Sequence, residues 1–335
     1  MSSELEQAVR TRLDNLTKPQ GSLGCLEKIA LRLALLQGEL MPVVARKAVY
    51  VFCADHGVTA EGVSPYPSVV TREMMRNFVR GGAAISVLCR RGNIEPVIVD
   101  VGSAGDPVEG VIDRRIGSGT RNFAVEPAMT RQQAEAALEA GRRLAEEAAA
   151  RFDIAGLGEM GIGNTSAAAA ILSVYSGLDP WQTVGIGAGC DPEQMQHKIA
   201  VLRKALTFHR PDPSDPVGVL SAVGGFEIGA IAGFIARAAE LRFPVVLDGF
   251  PCCAGALIAR ALSASALDSA FFAHESIERG HRLMLHLLGA RPLLALDMRL
   301  GEGTGAALAL GIIDAAVGLY TGMATFAEAS ITGAR

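Results

Sequence analysis

Ile154-Ala155-Gly156-Leu157-Gly158-Glu159-Met160-Gly161-Ile162-Gly163-Asn164-Thr165 decides the fold class. A short apolar run, Ile154–Leu157, breaks into a glycine-rich turn, and a helical stretch, Ser166–Ser176, follows at once. A run that is continuously apolar, not alternating, suits a strand buried on both faces. Glycine at 161 and 163 frees the backbone for positive φ and bares its N–H groups, with Asn164 or Thr165 placed to cap the helix. An exposed turn at a helix N-terminus is a natural phosphate site, although the same spacing also serves an empty strand-to-helix connection.

The pattern repeats outward in both directions. Ala48–Ala54, Pro96–Val101, Val184–Ile186, Val217–Val223, Val245–Leu247 and Leu293–Leu296 are further β-rich runs. Thr71–Arg90, Arg131–Arg151, Glu193–Phe208 and Cys253–Leu262 read as helices between them. This rhythm predicts a parallel α/β sheet with crossover helices. Leu5–Gly38 reads as two helices broken at Thr17–Ser22, with Ser22 as cap of the second. Gly305–Ala329 is again helical, and it is expected to form a small second lobe with the N-terminal helices. The strand runs end in Asp55-His56-Gly57, Gly102-Ser103, Gly187-Ala188-Gly189, Gly224-Gly225, Asp248-Gly249 and the segment from Asp297 to Glu302. Ligands of open α/β sheets bind beyond the carboxyl ends of the strands. That rim is therefore expected to be a ligand floor of backbone amides and a few acids.

Composition narrows the class. Half of the 335 residues are hydrophobic, 5% are aromatic and 38 are glycine, which fits a tightly packed globular chain and excludes a disordered or fibrous one. A net charge of −4 without a basic stripe gives no support to nucleic-acid or membrane binding. Val217–Ala236 holds one charge, Glu227, but its glycines read better as a strand, a turn and a buried helix than as a membrane span. The six cysteines form no CxxC pair, and reduced, buried thiols in a cytoplasmic protein are expected. The polar N-terminus, MSSELEQAVR, has neither signal- nor transit-peptide character.

The strongest chemical signal is Leu300-Gly301-Glu302-Gly303-Thr304-Gly305. Glycines leave Glu302 little polar cover, and enclosure would raise its pKa toward that of a useful base. A helix-capping acid is the plainer reading of the same residue. Lys198 can supply a point charge beside Gly187 and Gly189. No Gly-Lys-Ser/Thr follows the 158–165 turn, and Ser166 stands where a GxGxxG would need its third glycine, which argues against kinases and ordinary dehydrogenases. His274, Glu278 and His281 fall on one face if the segment is helical, so a metal-dependent hydrolase is an alternative. His56, after Asp55, is either a base or a turn-holding residue.

Taken in order, Thr17–Gly24, Ala54-Asp55-His56-Gly57-Val58, Gly81-Gly82-Ala83-Ala84-Ile85, Gly158–Thr165, Asp248-Gly249-Phe250 and Leu300–Gly305 give the chain a resemblance, over nearly its whole length, to the nicotinate-nucleotide:dimethylbenzimidazole phosphoribosyltransferase family. The resemblance implies a Rossmann-like parallel sheet flanked by helices (40–305), a small helical domain from 1–39 and 306–335, and a homodimer. It implies nicotinate mononucleotide and a benzimidazole-type base as substrates, with no cofactor and no metal. Glu302 matches the family's general base, and Glu159 a second acid. Gly161, Ile162, Gly163, Asn164, Thr165, Gly187, Gly189 and Lys198 match nucleotide and phosphate contacts. Ser64, Pro65, Tyr66, Glu73 and Leu300 match the base pocket, with Glu73 departing from the family's common glutamine. A non-catalytic nucleotide-binding protein would use the same floor of amides.

Overall fold

The computed structural model describes residues 2–185, 187, 189 and 191–332. In chain order the elements are α1 (Ser2–Asn15), α2 (Cys25–Gln37), β1 (Lys47–Ala54), a 3₁₀ turn (Gly57–Glu61), α3 (Val69–Arg80), α4 (Ala84–Gly92), β2 (Ile94–Gly102), β3 (Ile112–Asp113), α5 (Arg131–Arg151), β4 (Ile154–Met160), α6 (Asn164–Ser176), α7 (Pro180–Thr183), α8 (Pro192–His209), α9 (Pro216–Val223), α10 (Phe226–Glu240), β5 (Val245–Leu247), α11 (Phe250–Leu262), β6 (Ala270–Glu275), α12 (Arg279–Leu288), β7 (Pro292–Ala295) and α13 (Thr304–Gly322).

The sheet has seven strands in the order β3-β2-β1-β4-β5-β6-β7. Every strand pair is parallel. The chain builds outward from β1 through β2 and β3, then returns to pair β4 on the other side of β1. That reversal is a topological switch point, where doubly wound sheets open a crevice at their carboxyl ends. Register puts Phe52 of β1 opposite Glu159 of β4, so Glu159 stands at the mouth of the crevice.

All eight residues of β1 are buried. Its alternate side chains feed two cores, as the pleat requires. Tyr50 and Phe52 pack with residues of α5, α6, α10 and α11 on one face. Val49, Val51 and Cys53 pack with α2, α4 and α13 residues on the other. α13 lies between this second face and α2, and Tyr320 near its end joins Val9, Leu13 and Ala34 in a third cluster. Among the described residues it is the one helix long and apolar enough to cross a bilayer, and half of that stretch is buried against the protein.

Several sequence expectations are corrected. Val217–Val223 is the helix α9, entered through a cap in which Asp215 accepts from Gly218 N–H. Val219, Leu220 and Val223 form its buried face, but Val217 and Ala222 on the other sides are apolar and partly buried too, so a helix of 8 residues shows no period that tells it from a strand. Val184 ends α7, and no strand includes Val184 or Gly185; Ile186 lies outside the described residues. The supposed helix holding His274, Glu278 and His281 is divided: His274 belongs to β6, Glu278 precedes α12, and His281 is within α12. Thr71–Arg90 is broken by Gly81, whose φ is 81°. Gly24, not Ser22, caps α2. Cys25 is exposed while Cys53, Cys89, Cys252 and Cys253 are buried, and Cys190 lies outside the described residues.

Candidate active site

A cavity of about 670 Å³ opens at the switch point. β4 and its turn to α6 supply Glu159, Gly161, Ile162, Gly163, Asn164 and Thr165; Gly187 and Lys198 stand beside them. The segment before α3 supplies Ser64, Pro65 and Tyr66, and Leu300 and Glu302 come from the turn before α13. The structure thus brings together nearly all the residues singled out from the sequence. Of those matched to the family, two remain apart: Gly189 is exposed outside the lining, and Glu73 is exposed on α3, whose Val70 and Met74 face the cavity instead.

The Glu302 turn is held in an uncommon backbone form. Gly301, Glu302 and Gly303 all have positive φ, at 84°, 63° and 84°. Two glycines accept that conformation freely, whereas a glutamate there is strained. The turn is fixed from both sides. Glu302 N–H donates to the Glu159 carbonyl (3.1 Å). Gly303 N–H and Ala306 N–H donate to Asp248 Oδ2 and Oδ1 (3.1 and 3.0 Å). Asp248 thereby caps α13, in place of a side chain from the turn itself. Gly158 lets the turn lie against β4, because a Cβ there would collide with the Gly303 backbone.

Three buried carboxyls converge here. Burial pushes the Glu302 carboxyl up, Asp248 adds to the push, and the Ile85 N–H in the first turn of α4 opposes it. This bond gives the Gly81–Ile85 motif a task, since it starts the helix whose amide meets the carboxylate. Glu302 Oε2 has no hydrogen-bond partner. Glu159 is pushed up to about 8, by burial first, then by Asp248 and Glu227, with the Asn164 side chain opposing. Asp248 is pushed up to about 7 by burial, against the pull of the amides it accepts from.

The helix turn 161–165 differs from expectation in one respect. Neither Asn164 nor Thr165 caps α6; the N-cap is Gly163, at φ 95°, without a side-chain bond. Asn164 Nδ2 instead donates to Glu159 Oε2. Thr165 Oγ1 accepts from Lys198 Nζ (2.7 Å). Both side chains are committed to ionisable partners, and Asn164 and Ser166 N–H close back on the Gly161 and Gly163 carbonyls, so it is the positive end of the α6 dipole that is turned to the cavity.

Sequence reading missed the contribution of β6. His274, Ser276 and Glu278 line the cavity beside Arg299. The Ala270–Glu275 run carries no glycine turn after it, so the signal used elsewhere was silent. Burial raises the Glu278 carboxyl, while Lys198, Gly187 N–H and Arg299 oppose the rise. Arg299 Nη1 donates to the Gly187 carbonyl (3.3 Å). The metal reading fails on geometry: His281 Nδ1 accepts from Ser276 N–H (3.0 Å), and its Nε2 faces Cys253 Sγ (3.3 Å). No group of His, Cys, Asp or Glu among the described residues is arranged to hold a metal ion. His56 does not line the cavity; it is buried beneath the lining glycine Gly161, against Glu227.

The arrangement is a cavity with a cationic, amide-rich end, an apolar end, and a proton acceptor between them. Comparison with known proteins agrees. A family model described as phosphoribosyltransferase matches residues 1–331. A nicotinate-nucleotide–dimethylbenzimidazole phosphoribosyltransferase of Geobacter sp. (strain M21) is 49% identical over 96% of this chain and 93% of that protein. A protein of the same name from Desulforamulus reducens is 49% identical over 98% of this chain and 94% of its own. The crystal structure of CobT from Thermus thermophilus superposes with a TM-score of 0.94 at 46% identity, covering 99% of this chain and 100% of that one. The chain therefore belongs to the nicotinate-nucleotide–dimethylbenzimidazole phosphoribosyltransferase family.

Proposed function

We propose that this enzyme transfers the 5-phosphoribosyl group of nicotinate mononucleotide to dimethylbenzimidazole or a related base, with inversion, giving α-ribazole 5′-phosphate and nicotinate for cobalamin synthesis. The observation that carries the reading is the Glu302 carboxylate, buried and with Oε2 unpartnered, between an apolar wall and a cationic, amide-rich floor.

The chemistry needs one proton acceptor. The C1′–N bond to the pyridinium ring breaks, its electron pair stays on nitrogen, and nicotinate departs without protonation. The acceptor's imine-type nitrogen bonds C1′ from the opposite face, converting β to α. Its other nitrogen loses its proton, which Glu302 takes up. Burial makes Glu302 more basic than an exposed carboxylate, while the Ile85 N–H keeps its charged form accessible. The anion also favours positive charge developing on the ribose. In this reading the N-terminal end of α6, with Lys198 and Arg299, holds the phosphate and nicotinate charges. Glu159, pushed up to about 8, keeps its proton at neutral pH. It therefore adds no second negative charge beside Glu302 and presents Oε1 next to Gly301. Tyr66, Pro65 and Leu300 supply apolar contact to the incoming ring.

Incubation with nicotinate mononucleotide and dimethylbenzimidazole should yield α-ribazole phosphate and nicotinate in equal amounts by chromatography. Tight nucleotide binding without product would replace this reading with a non-catalytic one. A cytoplasmic homodimer belongs to the same proposal through the family resemblance; light scattering and cell fractionation test its two parts.

A further inference from the structure

His56 and Glu227 carry no assigned role in the reaction above, and the fold joins them. They are 171 residues apart in sequence, yet His56 Nε2 lies 2.8 Å from Glu227 Oε1. Both side chains are 0% exposed. A buried carboxylate beside a ring nitrogen acts as acceptor, so Nε2 carries the proton. His56 Nδ1 and Glu227 Oε2 have no hydrogen-bond partner. Glu227 sits in the first turn of α10.

The ring lies beneath the cavity floor. A Cβ at Gly161 would come within 3.3 Å of the imidazole, and one at Gly163 within 3.3 Å of His56 Cβ. On its other side the ring abuts Gly225, the N-cap of α10. The turn is held by Ile162 N–H, which donates to Thr71 Oγ1 (3.1 Å), and from below by packing against His56, Thr59 and the Ala54 carbonyl.

We infer that the His56–Glu227 couple is a positioning pair for the transfer reaction: Glu227 fixes the imidazole, and the imidazole props the phosphate-side turn. The inference rests on the proposed function for its kinetic readout alone. Glu227→Gln retains an acceptor for Nε2–H.

The test combines nucleotide binding and kinetics. In Glu227→Gln, the Kd for nicotinate mononucleotide by calorimetry should stay within about twofold of wild type, since the hydrogen bond persists. His56→Ala should weaken nucleotide binding about tenfold, the cost of one lost support, and His56→Gln, whose amide N–H replaces the ring donor, should restore most of it. KM for the nucleotide should rise with the Kd while kcat stays close to wild type. Equal nucleotide affinity in wild type, His56→Gln and His56→Ala overturns the prop, and a loss in Glu227→Gln as large as in His56→Ala overturns the part given to the hydrogen bond. Should His56→Ala fail to fold, loss of affinity in His56→Gln would also count against the rescue and hence against the prop. Calorimetric results read the same way even if wild type yields no α-ribazole phosphate, which would refute the proposed function instead.

Discussion

At the proposed nucleotide end, Lys198 is 2% exposed and the turn Gly161–Asn164 is buried; at the proposed acceptor end, Tyr66 is 50% exposed and Leu300 56%. The first end is made of charges and amides whose partners are already in place before any ligand arrives. The second is an apolar rim that still faces solvent. Preorganised charge gives strong, exacting recognition, whereas partly exposed apolar contact gives weak and forgiving recognition. The difference teaches that this site is strict about its donor and permissive about the ring that accepts.

The largest test acts at the boundary between the ends. Glu302→Gln keeps size and removes the proton acceptor, and kcat should fall about 10²- to 10⁴-fold. Steady-state rates with both substrates saturating check it; retention of full rate would end the general-base assignment. Next comes the buried cation. Lys198→Ala removes a charge-assisted bond worth about 1.5–3 kcal/mol, so KM for the nucleotide should rise about 10- to 150-fold while KM for the base stays put. An equal rise in both constants would dissolve the contrast between the ends.

The cost of the buried acids is measurable as stability. Burial lifts the folded Glu159 carboxyl from its ordinary 4.5 to about 8, so the folded state keeps a proton that the unfolded chain has released. Between those values stability falls as pH rises. Glu159→Gln should therefore melt a few degrees higher than wild type at pH 8 and above, with the gap closing toward pH 4.5, as scanning calorimetry across that range would report. A gap that grows on acidification would mean that Glu159 is ionised in the folded protein.

At the permissive end effects should be small. Leu300→Ala should raise KM for dimethylbenzimidazole only about threefold, because a side chain already half exposed loses little by truncation. Smallest of all is Glu73→Gln. Its side chain is exposed on α3, outside the cavity lining, so the ratio of products from competing bases should not change. A shifted ratio would place that residue in the acceptor pocket after all.

The contrast also explains what could be read from sequence. β1, β2, β4, β5 and β7 were legible because each is an apolar run closed by a turn, and Arg131–Arg151 because of its long helical pattern, to which the structure adds a capping Thr130. The carboxyl rim followed from those strands, and with it Glu159, Lys198 and Glu302. α9 was not legible, since its short, mostly apolar sequence has no polar stripe to set against the buried face. β6 was hidden because its last residues, His274 and Glu275, imitate a polar helix face when read at helical spacing. With β6 lost, Ser276, Glu278 and Arg299 had no place in the site. The His56–Glu227 pairing was out of reach for another reason: nothing local in either segment names a partner 171 residues away.

The left-handed backbone at Glu302 has a consequence for selection as well as for chemistry. A non-glycine residue in that conformation costs about 1–2 kcal/mol, and its buried, unpartnered oxygen adds to the burden. Glycine at 302 would relieve both at once and abolish proton transfer. A library of variants screened only for heat resistance should therefore drift toward Glu302→Gly, enriching the inactive form at the very codon on which turnover depends. Thermal screens of this enzyme will need a turnover assay beside them.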